Sequence, residues 1–501
     1  MSGSLHIDTG CVLLSGDGQR IASSVTIQGG SVVAIDESPL TGVHRLRLGD
    51  HVAMPGLVDS HLHLVEGACG LGSVDLRGVS SRGRFEESMR DAAEALPPDA
   101  WLVASGWSEQ VLGRMPEKSW LEGAGSRPVV CYRTDLHAAM VNDEVLDLLE
   151  EESVASCAGG FVEEDNGHRT GLVGEDVLWK CVIPLIPQPP LNRRREMVAA
   201  ATRRLHAGGV TMVGAMERPA DVRDVLMPMR TSLGLRLRVM LLDAGDGAST
   251  WTQFDQDEWL RVIGCKAFID GTLGSRTARM FEDWSDRPGE RGMFIDRAAD
   301  GTLDTWAAAV ASSGLVPSVH AIGDEAVHRA LNALDGLEEG RIEHAQLIGS
   351  EDLGRLKGRF LCVQPLHRVV DAIGADVALG DRVGRLHAYR TMLRRGGRLS
   401  FGSDWPVAEA DPVAGVAEAV AGFHEEERLS AAEAWLATTG EAAASLQEPR
   451  GGRLDVGCFG DVTVFDRNPL DCDWRTDRPI VIMTIVGGEI VYRNTEEGSI
   501  S

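Results

Sequence analysis

The chain has 501 residues, nine scattered cysteines and a formal net charge of −26, with 43% hydrophobic and 25% charged residues. This length predicts either several domains or one large barrel with additions, and the composition is that of a soluble globular protein. The acidic balance argues against nucleic acids and anionic membranes as partners. An odd number of cysteines without a Cys-x-x-Cys pattern predicts a reducing, cytoplasmic location.

The first residues contain no basic stretch followed by an apolar run, so no signal peptide is expected. No uninterrupted apolar stretch reaches the roughly 18 residues that a membrane helix needs. Because dimers are the commonest oligomers, a homodimer is the default expectation for the quaternary structure.

Both ends of the chain have β-rich patterns. Residues 11–53 alternate short β-rich runs with glycine and aspartate turns, and strands are predicted again over 460–466 and 480–486. We therefore predict that residues 1–53 and 450–501 form one small β-sandwich domain.

The region between the two ends, residues 54–449, alternates predicted strands with predicted helices. This alternation favours a parallel sheet, and the count of eight suits an α/β fold of the (β/α)8 TIM-barrel type. Residues from about 65 to 200 are too long and irregular for a simple barrel connection, so they are predicted to be an insertion after the first strand. The eight strands are predicted over 54–64, 208–213, 236–242, 264–269, 315–320, 341–344, 360–364 and 398–402.

The first predicted barrel strand ends in His61 and His63. Alternate residues of a strand face the same way, so the two imidazoles share one side and offer half of a metal site. Two ordinary histidines near a turn would be the more common explanation of this pair alone.

Further strand ends supply partners for this pair. Lys266 lies on the fourth strand, His320 and His344 end the fifth and sixth, and Asp404 follows the eighth. Each has an ordinary structural explanation singly, but active sites of barrels lie at the carboxyl ends of the strands, where all of these residues fall. Four imidazoles and a carboxylate suit zinc or a similar divalent ion.

The ordered set resembles the amidohydrolase superfamily, and the local motifs resemble its YtcJ-like branch, which includes N-substituted formamide deformylases. The resemblance covers nearly the whole chain. The motifs that carry it are Pro55-Gly56-Leu57-Val58-Asp59-Ser60-His61-Leu62-His63, the run from Lys266 to Ala278, His320-Ala321-Ile322-Gly323-Asp324, Glu343-His344-Ala345-Gln346 and Gly402-Ser403-Asp404-Trp405-Pro406-Val407.

The resemblance implies a metal-dependent hydrolase that cleaves a non-peptide C–N bond of a small-molecule substrate, an amide or an N-formyl or N-acyl amine. It implies one or two divalent ions, with zinc expected, and attack by a metal-bound hydroxide. His61 and His63 would bind the first ion, and His320 and His344 the second. N6-carboxylated Lys266 would bridge them, and Asp404 would bind the first ion and act as the base.

Four further residues are candidates for contacts with these ligands or with the substrate. Asp324 would orient the imidazole of His320, or else cap a helix. Arg276 would contact the substrate or brace the loop after the fourth strand. His137, in the insertion, would reach over the barrel mouth, and Gln364 would line the pocket after the seventh strand.

Two other functions remain open. A deaminase on the same barrel would be expected to carry a glutamate three residues after the fifth-strand histidine, where this chain has Gly323. A non-catalytic relative would keep the fold for binding, but it would be expected to lose ligand residues, and all six positions are filled here.

Overall fold

The computed structural model describes residues 4–495, except 98, 243–250, 252 and 423. Its strands form three sheets of seven, six and eight strands, which we number β1 to β21 in chain order. Residues 496–501, the end of the predicted terminal domain, lie outside the described part.

The eight-stranded sheet confirms the predicted parallel barrel. Its strands are almost wholly buried, as expected where helices cover the outer face and side chains fill the interior. The hydroxyls of Ser60 and Ser400 lie 3.3 Å apart where the first strand meets the last. The strands, in spatial order, are β5 Leu57–Leu62, β12 Val210–Glu217, β13 Arg236–Leu242, β14 Leu260–Phe268, β15 Val316–Ala321, β16 Arg341–His344, β17 Phe360–Val363 and β18 Arg398–Phe401.

Amphipathic helices flank these strands. In the helix Asp324–Ala333, the apolar side chains of Ala326, Val327, Ala330 and Leu331 are buried, with the spacing of one helix face. The capping box of Ser430 and Glu433 is present, with both hydrogen bonds formed. The principal helices around the barrel are Leu64–Gly70, Leu191–Ala207, Leu303–Ser312, Asp324–Ala333, Tyr389–Arg394, Pro412–Ala421, Ala431–Ala437 and Gly440–Ser445.

The seven-stranded sheet joins the two ends of the chain, in the order β21-β20-β19-β4-β1-β2-β3. The edge strand that contains Val32 contacts the segment just before β19, where the Val32 N–H donates to the carbonyl of Cys458. The sheet therefore encloses one apolar core, which includes Ile7, Val25 and Ile485. Its strands are β1 Leu5–Leu13, β2 Ile21–Gln28, β3 Ser31–Ile35, β4 His44–Pro55, β19 Val462–Phe465, β20 Val481–Val486 and β21 Glu489–Arg493.

The segment between β5 and β12 carries the six-stranded sheet and an apolar core of its own around Phe85 and Trp120. Its last helix, Leu191–Ala207, packs on the barrel core instead. The Asp135 carboxylate accepts a hydrogen bond from the Ser275 hydroxyl at 2.8 Å and also contacts Thr272, which links the insertion to the loop after β14. The strands are β6 Val74–Asp75, β7 Leu102–Trp107, β8 Val129–Arg133, β9 Ala138–Val141, β10 Gly160–Asp165 and β11 His168–Gly174, and the main helix is Arg82–Ala95. Within the described residues, no helix is long and apolar enough to cross a membrane.

Candidate metal centre

All six predicted metal ligands line one cavity at the carboxyl ends of the barrel strands. The cavity also reaches residues of the insertion, such as Trp179. The structure thus brings together residues that are separated by more than 340 positions in the sequence. They are His61, His63, Lys266, His320, His344 and Asp404.

The two histidines of the first strand face the same carboxylate. The Nε2 atoms of His61 and His63 lie 3.2 Å and 3.4 Å from Oδ1 of Asp404. The Asp404 N–H donates to the carbonyl of His61 at 2.7 Å, which fixes the chain after β18 against the first strand. The alternation expected of a strand therefore aims both imidazoles at one point.

Left-handed backbone conformations occur at two of these positions. His344 has a φ of 72° and Asp404 a φ of 56°, values that are uncommon for residues other than glycine. Neighbouring residues of a strand normally face opposite sides, but Glu343 and His344 both reach the interior because the chain turns at His344. Such strain is common at functional sites, where the surrounding structure maintains it.

Three histidines have one ring nitrogen engaged by an acceptor outside the cavity. His61 Nδ1 lies 2.6 Å from Glu343 Oε2, and His344 Nδ1 lies 2.8 Å from Gln364 Oε1. His320 Nε2 lies 3.1 Å from the carbonyl of Gly271. Each acceptor takes an N–H, so the other nitrogen of each ring keeps its lone pair for a metal ion.

These atoms fit a divalent metal ion. Nε2 of His61 is buried and faces Asp404 Oδ1 at 3.2 Å, and within the described residues it makes no well-directed hydrogen bond. His61, His344 and Asp404 each offer one possible ligand atom, and these three atoms all lie within 4.8 Å of one another. Imidazole nitrogens and a carboxylate oxygen at this separation are the donor set that zinc and similar ions prefer.

Lys266 is buried at the wall of the same cavity. Its Nζ lies 5.1 Å from the centre of the Phe268 ring, and no carboxylate of the described residues lies within 4 Å of it. Burial lowers the pKa of this ammonium, which favours the neutral amine. A neutral, accessible amine is the form that can react with carbon dioxide.

The electrostatic environment favours an ionised Asp404 and neutral imidazoles at His320 and His344. Burial opposes ionisation of Asp404, but the neighbouring His61 and His63 hold the pKa of its carboxyl well below the usual range. Burial, together with nearby positive groups, holds the pKa values of His320 and His344 well below their usual range. Although burial and the Lys266 charge oppose it, the carboxylates of Asp404 and Glu343 raise the pKa of His61.

The structure places Gln364 and His137 beside predicted ligands. Gln364 contacts the imidazole of His344, as described above. The ring of His137 lies 5.2 Å from that of His320, and its Nδ1 lies 2.8 Å from Glu175 Oε2. Gln364 lies behind His344, outside the cavity lining where it was predicted, and is suited to orienting that imidazole; His137 lines the cavity and is suited to contacting a substrate.

The orienting role predicted for Asp324 is wrong. Its carboxylate accepts the N–H of Phe281 at 3.0 Å, because the helix that begins at Asp324 turns it away from the cavity. The carboxylate nearest His320 Nε2 is that of Asp270, at 3.7 Å. Burial raises the pKa of Asp270 to about 8, against the lowering effect of the three backbone N–H groups that its carboxyl oxygens accept.

Arg276 lies at the edge of the cavity, and its role there is structural. Its guanidinium pairs with Asp286 at 2.9 Å and lies 5.3 Å from the centre of the Trp284 ring. These contacts brace the loop after β14, which was one of the two explanations that the sequence left open.

Sequence reasoning assigned no role to Glu343, although it precedes His344 directly. Its carboxylate accepts hydrogen bonds from Ser318 Oγ at 2.6 Å and from Arg341 Nε at 2.9 Å, besides contacting His61. All these side chains are buried. His367, which follows the seventh barrel strand, lines the cavity, and its buried Nε2 lies 3.8 Å from Asp404 Oδ2.

The chain is similar to known proteins over nearly its whole length. A sequence profile described as the amidohydrolase family matches residues 48–492. Protein LONG AFTER FAR-RED 3 of Arabidopsis thaliana is 28% identical over 541 aligned positions, which cover 97% of this chain and 91% of that protein. The putative amidohydrolase YtcJ of Bacillus subtilis (strain 168) is also 28% identical, over 90% of each chain.

Two further relatives carry the names of hydrolytic enzymes. The N-substituted formamide deformylase of Arthrobacter pascens is 22% identical over 95% of each chain. The crystal structure of an uncharacterized metal-dependent hydrolase from Pyrococcus furiosus superposes with a TM-score of 0.74 at 27% identity, covering 93% of this chain and 100% of that one.

Proposed function

This chain belongs to the amidohydrolase family, and we propose that it hydrolyses a non-peptide C–N bond of a small-molecule amide or N-formyl or N-acyl amine. One observation carries the proposal. Four histidines and Asp404 converge at the barrel mouth, and three of the imidazoles already have their outer nitrogen engaged. A site of this kind is prepared to bind metal and activate water.

The residues present would hold two ions. His61, His63 and Asp404 would bind the first, His320 and His344 would bind the second, and N6-carboxylated Lys266 would bridge them. We propose zinc, because imidazole nitrogen and carboxylate oxygen are its usual ligands. When bound, the metal lowers the pKa of a water molecule to near 7 and polarises the substrate carbonyl.

Asp404 is the residue that we propose to move the proton. Its carboxylate is ionised, and its backbone bond to His61 fixes it beside the first pair of histidines. It would take a proton from the attacking water and pass it to the leaving nitrogen as the C–N bond breaks.

Deamination on the same barrel is the second candidate, and the backbone argues against it. A Cβ on residue 323 would lie 2.0 Å from the carbonyl oxygen of Arg279, so the glutamate expected of a deaminase cannot be accommodated at Gly323. All six predicted ligand residues are present, which argues against a non-catalytic relative that keeps the fold only for binding.

The first test is metal analysis of the purified protein before and after chelation. We expect two divalent ions in the wild type and about one in Lys266→Ala, because the variant lacks the bridge. Arg276→Ala, which alters a loop contact outside the centre, serves as the matched control. Two-metal stoichiometry in Lys266→Ala would contradict the bridging role, and activity unaffected by chelation would contradict the metal mechanism.

The second test addresses the bond that is cleaved. A panel of uncharged N-acyl and N-formyl amines, with amino-substituted heterocycles beside them, separates amide hydrolysis from deamination. Release of an amine and a carboxylic acid supports the proposal. Release of ammonia from the heterocycles alone would support the deaminase instead.

A further inference from the structure

One side of the cavity forms an apolar arm that begins at the metal centre. It is continuous with His344, His367 and Asp404 and extends over the segment that follows β17. Its apolar walls are formed by Leu273, Ile322, Leu366, Val370, Ile373 and Leu379.

The charged groups that line this arm are already paired with protein groups. Arg133 contacts Glu109 at 2.9 Å and Asp135 at 2.6 Å. The carboxylate of Asp371 pairs with His387 at 2.9 Å, and Arg276 pairs with Asp286 as described above. A ligand in the arm would therefore meet apolar walls without an available counter-charge.

Two wall residues are unusually exposed for apolar side chains that line a cavity. Val370 is 46% and Ile373 is 50% exposed. A ligand in the arm would cover them, which is favourable in proportion to the apolar area removed from water. Val369 and Val377 are similarly exposed, on the short helices His367–Asp371 and Ala375–Leu379 on either side of Ile373, but neither lines the arm.

The opposite side of the cavity has a different character. It also has apolar walls, such as Trp179 and Ile183, but it carries more charged side chains than the arm, among them Glu66, Lys180 and Arg218. An uncharged apolar group in a substrate held at the metal centre would therefore be better accommodated in the arm than on this opposite side.

We propose that the arm binds an uncharged alkyl or aryl substituent of the substrate, attached directly to one side of the scissile amide. This inference rests on the proposed function and adds the chemical class of the substrate to it. The substituent is attached either to the acyl carbon or to the nitrogen of the amide. In both cases the arm would bind the same kind of apolar group.

The test compares two series of uncharged amides with the metal-loaded enzyme. N-alkyl acetamides from methyl to hexyl lengthen the amine side, and N-methyl amides from acetyl to octanoyl lengthen the acyl side. We expect kcat/KM to rise about fourfold per methylene in one series, until the arm is filled. The series that shows the rise identifies the side of the bond that enters the arm.

Variants connect the effect to the arm. We expect Ile373→Ser and Val370→Ser to lower kcat/KM about tenfold for the longest member of the responsive series and to leave the shortest unchanged. Val377→Ser and Val369→Ser are matched controls and should alter neither. An equal loss in the controls, a preference for charged substituents, or the absence of a chain-length effect would overturn the inference.

The same compounds also separate this inference from the proposed function. If none is hydrolysed, their binding to the metal-loaded protein is measured by calorimetry. Affinity that rises with chain length and falls in Ile373→Ser would support the arm while contradicting amide hydrolysis. Affinity that is independent of chain length would contradict the arm, whatever reaction is found.

Discussion

The two ends of the barrel both bury charged side chains, but they leave them in different states. At the amino ends of the strands, Arg236 donates two hydrogen bonds to Asp461, at 2.7 Å and 3.0 Å, and Arg238 pairs with Glu448 at 2.7 Å. At the carboxyl ends, the Nε2 atoms of His61 and His63 both face Oδ1 of Asp404, and among the described residues Nε2 of His61 makes no well-directed hydrogen bond.

This difference separates stability from function within one fold. The pairs at the amino ends connect the barrel to the terminal sheet and to the segment after its last helix, and each charge has its counter-charge in the protein. The groups at the carboxyl ends are held in position but keep lone pairs that a metal ion could use. Barrels commonly place structural residues at the first end and catalytic residues at the second.

The largest effect is expected from Asp404→Asn, at the functional end. Losing the proton acceptor should lower kcat about 10³-fold, while the free energy of unfolding changes little. Steady-state kinetics on the best substrate of the amide panel, together with thermal unfolding, measure both quantities. A decrease in kcat of less than tenfold would assign the proton transfer to another group.

At the amino ends of the strands, Glu448→Gln should have the opposite effects, a lower stability with unchanged metal binding. It leaves the buried guanidinium of Arg238 without a counter-charge, so we expect a loss of about 3 kcal/mol in the free energy of unfolding. Urea denaturation measures this loss, and metal affinity per folded molecule should stay at the wild-type value. A stable variant with weakened metal binding would break the contrast between the two ends.

Glu343→Gln tests the buried carboxylate that contacts His61 from outside the metal cavity. The amide can still accept the His61 N–H, but it lacks the negative charge that fixes this ring as a ligand. We expect metal affinity to fall about 10- to 100-fold. Competition with a chelator of known affinity measures the change, with Glu448→Gln as the control; equal affinities in Glu343→Gln and wild type would show that the charge is dispensable.

An effect that depends on pH is expected from Glu217, a buried carboxyl at the end of β12 that accepts the Val65 N–H at 3.1 Å. Burial raises its pKa to about 8, so the folded protein retains a proton that the unfolded chain loses above its ordinary pKa near 4.5. This group therefore costs stability progressively as the pH rises from about 4.5 to 8.

Glu217→Gln removes that cost. We expect its Tm to exceed that of the wild type by a few degrees at pH 8 and to match it near pH 5, as calorimetric scans at both values would show. A gain independent of pH would mean that Glu217 does not titrate in this range.

The fold and the ligand positions were largely predictable from local patterns. Strand periodicity placed His61 and His63 on one side, and the rule that barrel sites lie at the carboxyl ends connected them with His344 and Asp404. The resemblance to the amidohydrolase superfamily added the ligand roles. These predictions depend on features that each segment carries by itself.

The remainder of the site depends on long-range geometry. Strand alternation would turn Glu343 away from its neighbour His344, and only the left-handed turn at His344 brings both inside. Asp324 has a plausible spacing from His320, but its helix points the carboxylate at Phe281. The apolar arm combines loops from distant segments, whose relative positions no single pattern encodes.

The hydrogen bond from Asp404 to His61 also has a consequence for folding. It joins residues 343 positions apart and lies where the last strand meets the first. Contacts between residues so far apart in the sequence form slowly, because the entropy of the loop between them must be overcome first. The residues proposed to bind the first ion therefore come together when the barrel closes, so high-affinity metal uptake during refolding would report the completion of the fold.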